Sequence, residues 1–97
     1  MVANLAASQG DLNEIKSLKA KGLDLNGMDY DGRAPIHIAA AEGHLNIVDF
    51  FISEGLTLNP TDRWGGTPID DAKNGGHEKI VMLLEKSIDQ LDKGGAN

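Results

Sequence analysis

The chain has 97 residues, no cysteine and a formal net charge of −6 at pH 7. That length allows one small domain, and the missing thiols exclude a disulfide framework or a thiolate zinc site and fit a reducing compartment. An acidic surface disfavours nucleic acid, which rewards clustered Lys and Arg; no apolar run approaches the roughly 20 residues that span a bilayer; and no basic-then-apolar leader opens the chain.

Hydrophobic residues make up 40% and aromatic residues 4%. A core of Ala, Leu, Ile and Val suits closely packed helices better than packed sheets. Along the chain, Ala6 and Ala7 belong to a first short helix that Gly10 ends. Leu12, Ile15 and Leu18 recur on one face of a longer helix. Asp11 and Glu14 have capping-box spacing at its start, and Gly22 stops it. The stretch from Leu23 to Ala34 carries the turn residues Asn26, Gly27, Asp31 and Gly32, which predict an extended, hairpin-like projection.

Pro35 then sits where a first helical turn begins, because its missing N–H would have no intrahelical partner there. Ala39, Ala40 and Ala41 keep this short helix slim, and Gly43 ends it. Leu45, Val48, Phe51 and Ile52 face one way on the next helix, which Gly55 stops. A second projection follows from Leu56 to Thr67, with Pro60 and Gly65–Gly66. Thr67 is placed to cap a helix opening at Pro68, a role Ala34 cannot fill in the middle unit. Gly76 ends that helix, and Ile80, Val81, Leu84 and Ile88 mark the last one. The end from Ser87 to Leu91 would lengthen that helix and cover the end of the stack.

These elements repeat. Shifted by 33 residues, Asp29 to Gly55 matches Asp62 to Ile88 at nine of 27 positions, where chance would give roughly two. The nine pairs are Asp29/Asp62, Gly32/Gly65, Pro35/Pro68, Ile36/Ile69, Ala39/Ala72, Gly43/Gly76, His44/His77, Ile47/Ile80 and Val48/Val81. The register extends backwards through Ala6, Ala7, Gly10 and Leu12. The expectation is one all-α domain over residues 1–91, a solenoid of three stacked helix-turn-helix units joined by hairpin-like projections. Its repeats fall at about 1–22, 23–55 and 56–88, the first lacks its leading turn, and 92–97 form a flexible tail.

The block Gly32-Arg33-Ala34-Pro35-Ile36-His37-Ile38-Ala39-Ala40 resembles the ankyrin-repeat pattern G-x-T-P-L-H-x-A-A, with Ala34 replacing Thr. Glu42-Gly43-His44 and Leu45-x-Ile47-Val48 continue it. The third unit supplies Gly66-Thr67-Pro68-Ile69 and Gly76-His77, with Asp70 replacing His and an extra Gly75. More narrowly, Asp29-Tyr30-Asp31-Gly32-Arg33 and Asp62-Arg63-Trp64 are similar to turns in the C-terminal ankyrin segment of animal-type glutaminases and in ankyrin segments of plant potassium channels. The resemblance implies a non-catalytic module that binds a protein partner through hairpin tips and the concave helix face. The alternative it implies is a regulatory or oligomerisation segment of a larger enzyme, such as a glutaminase, or of a channel. The compartment implied is the cytoplasm, or the mitochondrion for a glutaminase parent.

Mapped onto this chain, the partner-binding positions are Tyr30, Asp31, Arg33, Ala41 and Glu42, then Arg63, Trp64 and Asn74. The only Tyr and only Trp both fall in projecting turns, and Tyr, Trp and Arg are the residues most enriched in binding hot spots. The bland alternative is that Trp64 packs back on a neighbouring turn and Arg63 pairs with an acid. The partner expected is a neutral or basic protein, with self-association as the alternative. No cofactor is called for. His37, His44 and His77 are spaced for stacking rather than for convergence on a metal, and His44 and His77 read as donors to loop backbone. Asp70 and Asp71 point about 100° apart on a helix and cannot share a substrate atom. Ser8, Ser53 and Ser87 lack a nearby base, and no Gly-Lys-Ser/Thr follows the glycine pairs.

Overall fold

A computed structural model describes residues 2–95, with side-chain placement through residue 91. Six helices follow one another: α1 (Val2–Gln9), α2 (Leu12–Ala20), α3 (Pro35–Glu42), α4 (Leu45–Ser53), α5 (Pro68–Asn74) and α6 (Glu78–Gly95). The short helices α1, α3 and α5 stack in one row, and α2, α4 and α6 pair with them to make three units. No strand occurs among the described residues, and the two projections are turns. Helix α6 runs to Gly95, so residues 92–95, read from sequence as tail, continue the last helix. Residues 96 and 97 lie outside the described part.

The short helices pack closely because their contact faces are alanine. Ala6, Ala7, Ala39, Ala40 and Ala72 are all buried. The longer helices supply bulk: Ile15, Ile47, Val48, Phe51, Ile80 and Leu84 lose essentially all exposure. Burying a side chain such as Phe51 contributes roughly 1.5–3 kcal/mol.

Each helix start follows from local chemistry. The Thr67 hydroxyl accepts from Asp70 N–H at 3.2 Å, and the Asp70 carboxylate accepts from Thr67 N–H at 3.0 Å, closing a capping box on α5. At the α3 start Ala34 has no side-chain oxygen, and His37 Nδ1 accepts from Ala34 N–H instead, at 3.0 Å. At α2 the Asp11 carboxylate accepts from Glu14 N–H at 3.0 Å.

Two kinds of hydrogen bond join successive units, and both recur at the repeat spacing. His44 Nε2 lies 2.9 Å from Ser8 O, and His77 Nε2 lies 3.1 Å from Ala41 O, so each reaches back one unit. His37 Nε2, whose partner nitrogen already accepts from Ala34, donates forward to Gly66 O at 3.1 Å. In the first unit Asn4 makes the matching forward bond, its amide donating to Arg33 O at 3.1 Å.

The backward bonds require glycine beneath the ring. A Cβ on Gly43 would sit 2.6 Å from His77 Cε1, and one on Gly10 would sit 2.8 Å from His44 Cε1. Gly43 and Gly76 both have left-handed backbones, φ +82° and +74°, but a Cβ on Gly76 would meet nothing within 4 Å. The pair therefore separates backbone strain from ring contact. Gly76→Ala should cost about 1 kcal/mol, the price of a left-handed non-glycine residue. Gly43→Ala should cost at least about 1 kcal/mol more, because the ring must also shift. Urea melts of the two variants check this, and equal losses would mean the ring is not seated on Gly43. Ala34→Thr should stabilise the middle unit by about 1 kcal/mol through a restored cap, read as a higher melting temperature.

Candidate functional site

The two projections are built by one device used twice. Asp29 Oδ1 accepts from Asp31 N–H and Arg33 N–H, both at 2.9 Å. Asp62 Oδ1 accepts from Trp64 N–H at 2.9 Å and Gly66 N–H at 2.8 Å. Main-chain bonds close each turn: Asp29 N–H to Arg33 O at 3.1 Å, and Asp62 N–H to Gly66 O at 2.9 Å. A carboxylate accepting two backbone donors makes a stiff turn, because it satisfies groups that would otherwise favour water.

Those donors also set the acidity. Burial works against the Asp29 carboxylate, but the Arg33 and Asp31 N–H groups, the Arg33 charge and the Asn4 amide outweigh it and hold its pKa below the ordinary value. For Asp62 the Gly66 N–H leads, joined by Trp64 N–H and the Arg33 charge, and again the pKa is lowered despite burial. Asp71 goes the other way: burial pushes its pKa up by more than the Arg33 charge pulls it down.

The turns hold their tips out. Tyr30 is 94% exposed and Trp64 69% exposed. The tips are joined: Arg63 N–H donates to Asp31 O at 2.8 Å, and Arg63 Nη1 lies 3.4 Å from the Asp31 carboxylate. The same guanidinium stands over the Trp64 ring, 5.4 Å from its centroid. Tyr30, Asp31, Arg63 and Trp64 thus form one tip cluster across the second and third units. Of the two bland readings, the pairing of Arg63 with an acid is present, while Trp64 stays largely open.

The remaining positions separate from this cluster. Arg33 lies at the foot of its turn with its side chain 23% exposed, and its guanidinium reaches Asp71 at 3.3 Å and Asp62 at 3.6 Å. Arg33 therefore ties the middle unit to the third, a bond invisible in the sequence because its partners lie 29 and 38 residues away. Asp71, set aside from the sequence as half of an acid/base pair, is one of those partners. Ala41 and Glu42 end α3 and Asn74 ends α5, so they lie at the ends of the short helices away from the turns. Glu42 and Asn74 are exposed; Ala41 is half-buried, with its carbonyl taken by His77. Met28, also exposed beside the first tip, was not singled out from the sequence, since a lone Met in a turn carries no periodic signal.

Among the described residues no three His, Asp or Glu side chains gather as a metal site, and no helix is long and apolar enough to cross a membrane. The three histidines are spent on backbone, as above.

Comparison with known proteins agrees with this geometry. A family model described as ankyrin repeats in three copies matches residues 3–93. Potassium channels GORK and SKOR of Arabidopsis thaliana are each 54% identical over 35 residues, and potassium channel KOR1 of Oryza sativa subsp. japonica is 49% identical over 35. The match covers 36% of this chain and 4% of each channel, so it concerns about one repeat.

Acid should test the turn device. A lowered folded pKa means stability that is present above the unfolded value near 3.8 and lost as pH falls through the folded one, which holds for Asp29 and Asp62. Asp71, with a raised pKa, has the opposite sign: its contribution is present below the unfolded value and lost as pH rises through the folded one. Asp62→Asn keeps an acceptor for Trp64 and Gly66 N–H and removes one titrating group. Its stability should fall less steeply than the parent's below pH 3.8. Melts across an acid series check this, and an unchanged slope would remove Asp62 from the account.

Proposed function

The chain belongs to the ankyrin-repeat family, and on that basis we propose that it is a non-catalytic protein-binding module whose contact surface is centred on the tip cluster of Tyr30, Asp31, Arg63 and Trp64. Ankyrin repeats are a protein-interaction architecture. The observation that supports this placement is two open aromatic side chains on stiff, mutually bonded turns. Rigid aromatics contribute contact area at little entropic cost, because few rotamers are lost on binding. The turns are already ordered, so little further ordering is needed. Glu42 and Asn74 extend the surface along the concave ends of α3 and α5. The net charge of −6 favours a neutral or basic protein partner through long-range attraction, and a cytoplasmic setting suits a domain without thiols.

Arg33 has a different part in this reading. Its charge is committed to Asp62 and Asp71, so it supports the second tip from beneath and makes no partner contact of its own.

A second reading rests on the channel matches: a regulatory or oligomerisation segment of a larger protein, a channel or an enzyme such as a glutaminase, making its contacts within its own assembly. Light scattering across a concentration range separates the two. A monomer throughout supports the binding module, and a concentration-dependent dimer supports the assembly segment.

The double variant Tyr30→Ala with Trp64→Ala should abolish capture of a partner recovered with the parent, since aromatic hot spots each cost about 2 kcal/mol or more on truncation. Its circular dichroism should match the parent's. Unfolding of the double variant would show that the aromatics hold the fold and would remove them from the contact surface.

A further inference from the structure

The chain contains two Asn-Gly pairs, Asn26–Gly27 and Asn74–Gly75, and the fold treats them differently. Asn-Gly is the dipeptide in which a backbone nitrogen most readily attacks the preceding side-chain amide, because glycine has no Cβ to hinder the approach. We infer that Asn26 is a site of spontaneous covalent modification, an asparagine that deamidates in the folded protein while Asn74 is spared.

The step balances without any enzyme. Gly27 N forms a bond to Asn26 Cγ and gives up its proton. The Cγ–Nδ2 bond breaks, and Nδ2 leaves as ammonia, closing a five-membered succinimide. Water then opens the ring. Cleavage at N–Cγ gives an aspartyl residue with the original backbone. Cleavage at the bond from that nitrogen to the backbone carbonyl carbon gives an isoaspartyl residue, through which the chain runs by way of the side-chain carbon. Either product replaces an amide by a carboxylate, taking the net charge from −6 to −7.

Three observations favour Asn26. It is exposed and lies in an isolated turn, where a single bond from Gly27 N–H to Asp24 O, at 3.1 Å, must be given up. Its Oδ1 accepts from Thr57 N–H at 3.2 Å. That is the oxygen on which negative charge builds as Gly27 N attacks Cγ, so a donor already in place stabilises the tetrahedral intermediate. Gly27 is also less crowded than Gly75: a Cβ there would meet one neighbouring atom, Asp24 O, at 3.2 Å.

Asn74 is exposed as well, but its backbone is held differently. It is the last residue of α5, and Gly75 N–H closes a helical bond to Asp71 O at 3.1 Å. His77 covers Gly75, with Cδ2 only 2.6 Å from where a Cβ would stand, and Ala41 O lies 3.0 Å from the same point. Closing the ring there means rotating the backbone out of the helix under that imidazole. Asn59 is excluded chemically, since Pro60 has no N–H to give up.

The two products have different consequences. The aspartyl form keeps an oxygen for Thr57 N–H and so keeps the link between the first projection and the start of the second. The isoaspartyl form draws that carbonyl into the backbone, lengthens the turn below Met28 and Tyr30, and loses the link.

The test is a timed incubation of the full chain at mildly alkaline pH, native and in urea, with peptide mapping by mass spectrometry and isoaspartate detection. In urea both Asn-Gly sites should react at similar rates. In the folded protein Asn74 should slow by roughly tenfold or more, because its reaction waits on local opening. Asn26 should stay within a few-fold of its rate in urea. Folding that slows Asn26 as much as Asn74 would overturn the inference.

Discussion

Each imidazole laid on a glycine of the preceding unit fixes how closely the units stack. The ring needs a flat floor, which only a residue without Cβ provides, and its Nε2 needs a carbonyl, which the end of the preceding short helix leaves unpaired. His44 over Gly10 and His77 over Gly43 meet both needs. With the loops held at that distance, the alanine faces of α1, α3 and α5 come into contact and Ile47, Phe51 and Ile80 close between the longer helices. At the opposite edge the forward bonds from Asn4 and His37 hold the feet of the turns. Each junction is thus pinned at both edges, and the projections leave the stack at a defined angle.

That rigidity explains why large side chains stay open on the tips. An aromatic residue on a slack loop would fold back onto the nearest apolar surface. Here Asp29 and Asp62 have fixed the backbone on either side of Tyr30 and Trp64, and Arg63 is bonded to Asp31 while standing over the indole. The exposed rings are a product of the turn chemistry below them. Arg33 belongs to the same layer, neutralising Asp62 and Asp71 where the turn meets α5.

The repeat made most of this legible in advance. A period of 33 residues placed the helices, the glycines and the hairpin-like turns, and equivalent positions predicted backbone bonds for His44 and His77, though their acceptors are carbonyls in the last turns of α1 and α3 and not the loop groups expected. What escaped were contacts made by residues that break the period. Asn4 stands where His37 stands a unit later and makes the same forward bond, yet Asn and His share no letter to match. Arg33 has Gly66 as its counterpart, so nothing in the repeat announced its ion pairs. The last helix was expected to lengthen to Leu91 and then give way to a tail, yet α6 runs on to Gly95.

The forward and backward bonds carry a mechanical consequence. Among the described residues the middle unit is clasped on both sides, by the first unit and by the third. Tyr30 and Trp64 lie on opposite sides of the junction between the second and third units. A partner gripping both would act as a splint across that seam, holding the third unit to the second without touching the core of either.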